Sequence, residues 1–280
     1  MPGFAGLHVL SLESRRAEEM AKLIANNGGI ATVAPSMREA PLESNAEALT
    51  FASTLLAGGF DVVIFLTGVG TRALTRVIET AYPREQFVEA LKRVTVVARG
   101  PKPIAALKEL GVPVAVAAPE PNTWRELLQA LAAVPLESRR VAVQEYGVSN
   151  PELLAGLAER GARVTRVPVY QWALPEDTAP LRAAVESLAR GRFDVVLFTT
   201  SVQVSHLLGV ARQMNLEEPL RQSLARTVIG SIGPTTTEAL QEHGLASDLE
   251  PSHPKMGFLV KETADRSAEL LAPKRSAPRS

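Results

Sequence analysis

Cysteine is absent from the 280 residues, which excludes disulfides, thiol nucleophiles and thiolate metal sites. A surplus of one charge is also absent. Lys and Arg total 30, Asp and Glu total 30, and the formal net charge is zero. Phosphate contacts dominate nucleic-acid affinity and leave a basic footprint, so no nucleic-acid partner is expected. No stretch reaches the roughly 18 consecutive apolar residues of a membrane span, so no membrane partner is expected either. The opening MPGFAGLHVLSLESRR lacks a basic segment followed by a long apolar run, the pattern of a secretory leader. Only four histidines occur, His8, His206, His243 and His253. None pairs with another at metal-ligand spacing, and no metal is expected. What is present is 46% hydrophobic residues, enough for a sizeable core. These features describe a soluble, cytoplasmic α/β protein.

The chain repeats itself at an offset of 133 residues. FDVVIFLT at 60–67 matches FDVVLFTT at 193–200. GPKPIAALKELG, from Gly100 to Gly111, matches GPTTTEALQEHG, from Gly233 to Gly244. Pro35 and Pro168 end the strand-like segments ATVAP and VTRVP, and LHVLSL (7–12) falls on RVAVQE (140–145). Segments obeying one ungapped offset indicate an internal duplication. β-Branched runs between amphipathic stretches predict five strands per copy. They lie near 7–12, 30–34, 60–67, 94–98 and 113–117, and near 140–145, 163–167, 193–199, 227–231 and 247–250. Helices such as AEEMAKLIANN (17–27) and PELLAGLAERG (151–161) fall between them, with Gly28 and Gly161 as C-terminal stops. Alternating β and α implies parallel sheets with helices on both faces. Two such domains are expected to form a cleft, with ligands beyond the carboxyl ends of the strands.

Four of the expected ligand loops, and Tyr170 just past a strand near a crossing between domains, carry chemistry. IGPTTT (232–237) opens a helix, with Pro234 in its first turn. Thr235, Thr236 and Thr237 offer hydroxyls and N–H groups suited to an anion, or to simple capping. RGPKP (99–103) is the matching helix start, where Arg99 and Lys102 sit near a positive dipole end that a bound anion would neutralise. Thr199, Thr200 and Ser201 end a strand; without flanking glycines they read as hydrogen-bonding groups rather than a nucleophile. TGVGTRA (67–73) begins with Thr67 and carries Gly68, Gly70 and Ala73 after a strand. That spacing suits a dinucleotide pyrophosphate or backbone donation to another ligand, but the first βα turn, SLESR (11–15), has no glycine. Tyr170, whose counterpart in the first copy is Met37, either presents its O–H from a buried ring or packs at a linker.

FDVVIFLT and FDVVLFTTS, RGARVTRVPVYQW, and IGPTTTEALQEHGL followed by Pro251 and Lys255-Met256 together resemble the uroporphyrinogen-III synthases. The resemblance covers about residues 5–262. It implies a monomer of two flavodoxin-like three-layer domains joined by a two-stranded linker. The first domain would be 1–36 with 171–265 and the second 39–168, with crossings near Pro35–Pro41 and Pro168–Pro175, and 266–280 a disordered tail. A tandem split near 135 fits the offset equally well. The implied reaction is a cyclising loss of water that needs no cofactor. Hydroxymethylbilane loses hydroxide to give an azafulvene cation. The terminal ring is attacked at its substituted position to form a spiro intermediate, which fragments and recloses inverted as uroporphyrinogen III. On the family pattern Tyr170 assists the departing hydroxyl, and Thr236 and Thr199 fall on functional positions. The first copy departs from the pattern with Pro103 and Gly68-Val69-Gly70. Two other readings remain: a tetrapyrrole-binding regulatory module without catalysis, and a nucleotide-dependent enzyme using Gly68 and Gly70.

Overall fold

A computed structural model describes residues 3–40, 42, 44–145, 147 and 149–276. In chain order the elements begin with β1 (His8–Ser11), α1 (Ala17–Asn26), β2 (Ile30–Val33), β3 (Arg38–Ala40), α2 (Ala46–Leu56), β4 (Val62–Phe65), α3 (Gly68–Ile78) and α4 (Arg84–Leu91). They continue with β5 (Thr95–Ala98), α5 (Pro101–Glu109), β6 (Val116–Ala117), α6 (Trp124–Ala130), β7 (Arg140–Gln144), α7 (Pro151–Ala158), β8 (Arg163–Val167) and β9 (Gln171–Ala173). The last third holds α8 (Ala179–Ala189), β10 (Val195–Phe198), α9 (Ser201–Gln213), α10 (Glu217–Leu224), β11 (Val228–Ser231), α11 (Pro234–Glu242) and α12 (Met256–Ser276).

Two sheets result, ordered β11-β10-β1-β2 and β6-β5-β4-β7-β8, with β3 and β9 forming a separate two-stranded sheet. Every pairing in the two larger sheets is parallel. Each sheet is the flavodoxin-like order, with one difference. In the first, β1 and β2 come from the start of the chain and β10 and β11 from its second half. In the second, β7 and β8 take the places that β1 and β2 hold in the first. The copies have therefore exchanged their leading strand pairs, and a tandem split near 135 does not describe the sheets. The chain separates into residues up to Arg38 with those from Ala173, and a second unit Glu39–Trp172.

The F-D-V-V runs are continuous because both faces of these strands are covered. Val62 and Ile64 enter one core of the second unit, and Val63 and Phe65 enter the other. Val195 and Leu197, and Val196 and Phe198, divide in the same way in the first unit. Each such side chain, fully buried, contributes about 1.5–3 kcal/mol. Gly28 and Gly161 adopt φ of +79° and +78° two and three residues past the ends of α1 and α7, left-handed positions that glycine takes without a Cβ penalty.

The fifth strands are shorter than the sequence suggests. Only Val116–Ala117 forms β6, and 247–250 contributes a single bridge from Leu249 to Gly230. Both lie at sheet edges, where pairing on one side alone holds them. The chain from 266 also differs from the expected disordered tail. It continues α12 to Ser276, because Leu271 is buried and Lys274 and Arg275 pair with Asp248 and Asp194. Residues 277–280 lie outside the described residues, as does Pro41 at the first crossing. No helix among the described residues is long and apolar enough to cross a membrane.

Candidate functional site

Parallel strands deliver their following loops and helix starts to one edge of each sheet. In the first unit, three of these loops are tied together by side chains. Ser14 Oγ accepts from the N–H groups of Ser36 and Met37, both at 3.2 Å. The Ser36 carbonyl meets His206 Nδ1 at 2.7 Å, so this half-buried histidine braces the loop after β2 from α9. The Thr199 hydroxyl donates to Glu13. Gln203, fully buried, accepts from Thr199 N at 2.7 Å and donates to Thr199 Oγ1 at 2.8 Å. Thr200 caps α9 by accepting from Val202 N, and its hydroxyl lies 3.8 Å from Met37 Sδ. Ser201 begins α9, half-buried.

The start of α11 is built differently. Gly233 supplies no side-chain cap and Pro234 has no N–H, so the first turn relies on backbone bonds. Thr236 N and Thr237 N donate to the Gly233 carbonyl at 3.0 Å. Thr236 is buried and Thr235 half-buried. Thr237 Oγ1 lies 2.5 Å from Ser231 Oγ and donates to Glu250 at 2.6 Å, which anchors this helix start to the end of β11.

In the second unit, Thr67 caps α3 by accepting from Gly70 N at 3.0 Å, as Thr200 caps α9. The glycines after it answer to the chain's own packing. A Cβ on Gly70 would lie 2.1 Å from Gln144 Nε2, and one on Gly68 would lie 2.5 Å from the Lys102 carbonyl oxygen. Thr67 N approaches Gln144 Oε1 at 3.4 Å. Gln144 and Gln203 thus brace the two equivalent loops from non-equivalent positions: Ser11 stands where Gln144 does, and Gly70 where Gln203 does, 133 residues apart. Arg99 is half-buried and its N–H donates to the Phe65 carbonyl at 3.0 Å. Lys102 is exposed on the first turn of α5. Pro101 is matched by Pro234 in α11, but Pro103 stands where α11 has Thr236, so α5 offers one N–H group fewer.

Tyr170 is 6% exposed and belongs to a core of the second unit with Val167 and Val169. Its ring meets Trp172 edge to face at 5.4 Å. Glu145, at the end of β7, is buried and holds Arg166 through two bonds of 2.9 Å. Tyr146 and Val148 of the neighbouring loop lie outside the described residues. A groove of about 550 Å³ runs elsewhere, between α2 and β8, lined by Phe51, Phe60, Arg140, Arg163 and Arg166 among others. Two of its arginines are already paired, with Asp61 and Glu145, and it contains none of the loops described above. Among the described residues, no group of three or more His, Asp or Glu could hold a metal ion.

Glu13, Ser14, Gln203 and His206 had no motif to mark them. They become a cluster only because β1, β2 and β10 lie side by side.

Fold and site together define a class: a two-domain α/β protein of flavodoxin-like strand order, with helix starts and hydroxyls gathered beyond the strand ends. The chain belongs to the uroporphyrinogen-III synthase family, whose model, described as "Uroporphyrinogen-III synthase HemD", matches residues 18–261. Members of this family are cyclising lyases. A Bacillus subtilis relative named "Uncharacterized protein YjjA" is 32% identical over 266 residues, 94% of this chain and 96% of that protein. A substituted selenomethionine form of the Thermus thermophilus uroporphyrinogen III synthase is 26% identical with a TM-score of 0.72, covering 94% of this chain and 99% of that one. Helicobacter pylori uroporphyrinogen-III synthetase shares the fold at 17% identity and a TM-score of 0.52, over 92% and 98% of the two chains.

Proposed function

We propose that this chain is a cytoplasmic, monomeric uroporphyrinogen-III synthase that converts hydroxymethylbilane to uroporphyrinogen III by inverting the terminal ring through a spiro intermediate. The observation that carries this reading is family membership along 18–261, which takes in the strand-end loops from the start of α1 onward. The substrate bears eight carboxylates, and helix starts are suited to such groups. On the first unit the proposed binding groups are Thr199, Thr200, Ser201, Thr235 and Thr236. On the second they are Thr67, Gly68, Gly70, Arg99 and Lys102. Tyr170 is the proposed acid or hydrogen-bond donor to the departing hydroxyl. Much of the catalysis is orientation: a flexible bilane must be held so that spiro attack outruns end-to-end closure, an effect worth several kcal/mol or more.

The nucleotide reading loses its main signal, since the close approach of Lys102 and Gln144 already accounts for glycine at 68 and 70. A second reading, tetrapyrrole binding without turnover, is favoured by the donor missing at Pro103. Incubation with hydroxymethylbilane separates the two. The synthase yields the type III isomer faster than spontaneous closure gives type I; binding without turnover leaves only type I at the spontaneous rate. Tyr170→Phe is expected to slow hydroxyl loss about tenfold or more, by single-turnover kinetics. Unchanged turnover would remove Tyr170 from that role and leave the synthase reading intact.

A further inference from the structure

Glu13, in the loop after β1, is a carboxylate in a face proposed to bind carboxylates. Like charges repel there, so its presence calls for a reason other than substrate affinity. The side chain is half-buried and fixed at three points. Oε1 accepts from the N–H groups of Arg15 and Arg16 at 3.1 and 3.2 Å, and Oε2 accepts from the Thr199 hydroxyl. Thr199 is in turn clamped by the buried Gln203. Two loops far apart in sequence therefore converge on one carboxylate.

Asp61, Glu145 and Glu217 each hold an arginine, whereas no Lys or Arg among the described residues lies in ion-pair range of Glu13. The Arg16 guanidinium is engaged by Glu19. A carboxylate has about four acceptor positions, and the three bonds leave one of them. An oriented anion with a vacant lone pair and no counter-cation suits a cation that forms during reaction, because preorganised charge acts where charge develops.

Resting on the synthase reading above, we infer that Glu13 is a further catalytic residue, which stabilises the azafulvene cation and then accepts the proton released at ring closure. Hydroxide leaves with the electron pair of its C–O bond and takes one proton, from Tyr170 in the proposal above, to become water. After the spiro intermediate fragments, the unsubstituted α-carbon of the terminal ring forms the new C–C bond. It gives up its hydrogen as a proton to Glu13, restoring the pyrrole. One proton enters and one leaves, so the net loss is a single water.

Glu13→Gln keeps the size and an acceptor oxygen while removing the charge. With hydroxymethylbilane as substrate, kcat for the type III isomer should fall about 100-fold, the range for a lost acid–base group. KM should stay level or drop, because a repelling charge is gone; lost binding alone would raise KM instead. Glu13→Asp, which withdraws the carboxylate by one methylene, should lose about tenfold in kcat at unchanged KM; this variant decides if the Gln form does not fold. Glu19→Gln, on the surface of α1, should change neither parameter. A wild type that forms type III beside a folded Glu13→Gln with kcat within twofold, or a Glu13→Asp at full kcat, overturns the role of Glu13 alone. A wild type that forms no type III overturns the synthase reading first.

Discussion

Asp61 and Asp194 hold the same place in the two F-D-V-V runs, and each fastens a neighbouring strand. The N–H of Asp61 donates to the Arg140 carbonyl and that of Asp194 to the His8 carbonyl, both at 2.9 Å. Their carboxylates accept from Arg140 N and His8 N at 2.8 Å. The hydrogen bond from the Arg140 side chain, aided by its backbone N–H, holds the Asp61 carboxyl below the usual carboxylate range. A depressed folded value gives stability that is present above the unfolded pKa, near 4, and is lost as pH falls through the folded value. Arg140 is well exposed, so Asp61→Asn should cost about 1 kcal/mol or less at pH 7. Urea titrations of the two proteins should differ at pH 7, and the difference should shrink progressively as pH falls below about 4; a difference that does not change with pH would mean that charge is not the cause. The motif was visible in sequence, but the partner of the aspartate was not. Gly68 and Gly70 illustrate the same limit: their spacing fitted a pyrophosphate, yet the constraint comes from Gln144 and Lys102, which only folding brings near.

At the scale of elements, α12 differs most from expectation. Its second half has a Pro, Ser and basic composition, and Pro273 cannot donate to the helix ladder, so composition argued for a frayed end. Packing outweighs this, since Leu271 is 4% exposed and Lys274 and Arg275 reach Asp248 and Asp194. Truncation after Asp265 should therefore lower stability by about 2 kcal/mol or more, largely from uncovering Leu271 and the surface beneath it. A thermal melt within a degree of the full chain would mean that these last turns of helix contribute nothing. The threonines that cap α3 and α9 were visible after strands, but they read as ligand groups, while capping was considered for α11, whose start has no side-chain cap. The difference between α11 and α5 was legible, as Thr236 against Pro103. The loop braces from Ser14, Gln203 and His206 were not, because each acts between loops that sequence order keeps apart.

At the scale of the whole chain, the exchanged strand pairs decide which pieces can fold. Glu39–Trp172 contains every strand of the sheet β6-β5-β4-β7-β8. A fragment 39–172 should melt cooperatively with dispersed amide resonances. A fragment 1–135 has β1 and β2 without β10 and β11, and β4 to β6 without β7 and β8, and should remain unfolded. A folded 1–135 would contradict the observed pairing.

The sequence by itself determined the duplication, the parallel α/β character of both halves, most strand and helix positions, and the hydroxyl-rich and glycine-rich loops. These are local properties, set by hydrophobic period, turn chemistry and the 133-residue offset. Tertiary structure decided which halves share a sheet, because strand pairing is non-local and a repeat is equally compatible with tandem or exchanged partners. It also decided why Gly68 and Gly70 are glycines, and that Glu13 and Thr199 meet. Both depend on strands adjacent in space and remote in sequence, an adjacency that no periodicity encodes.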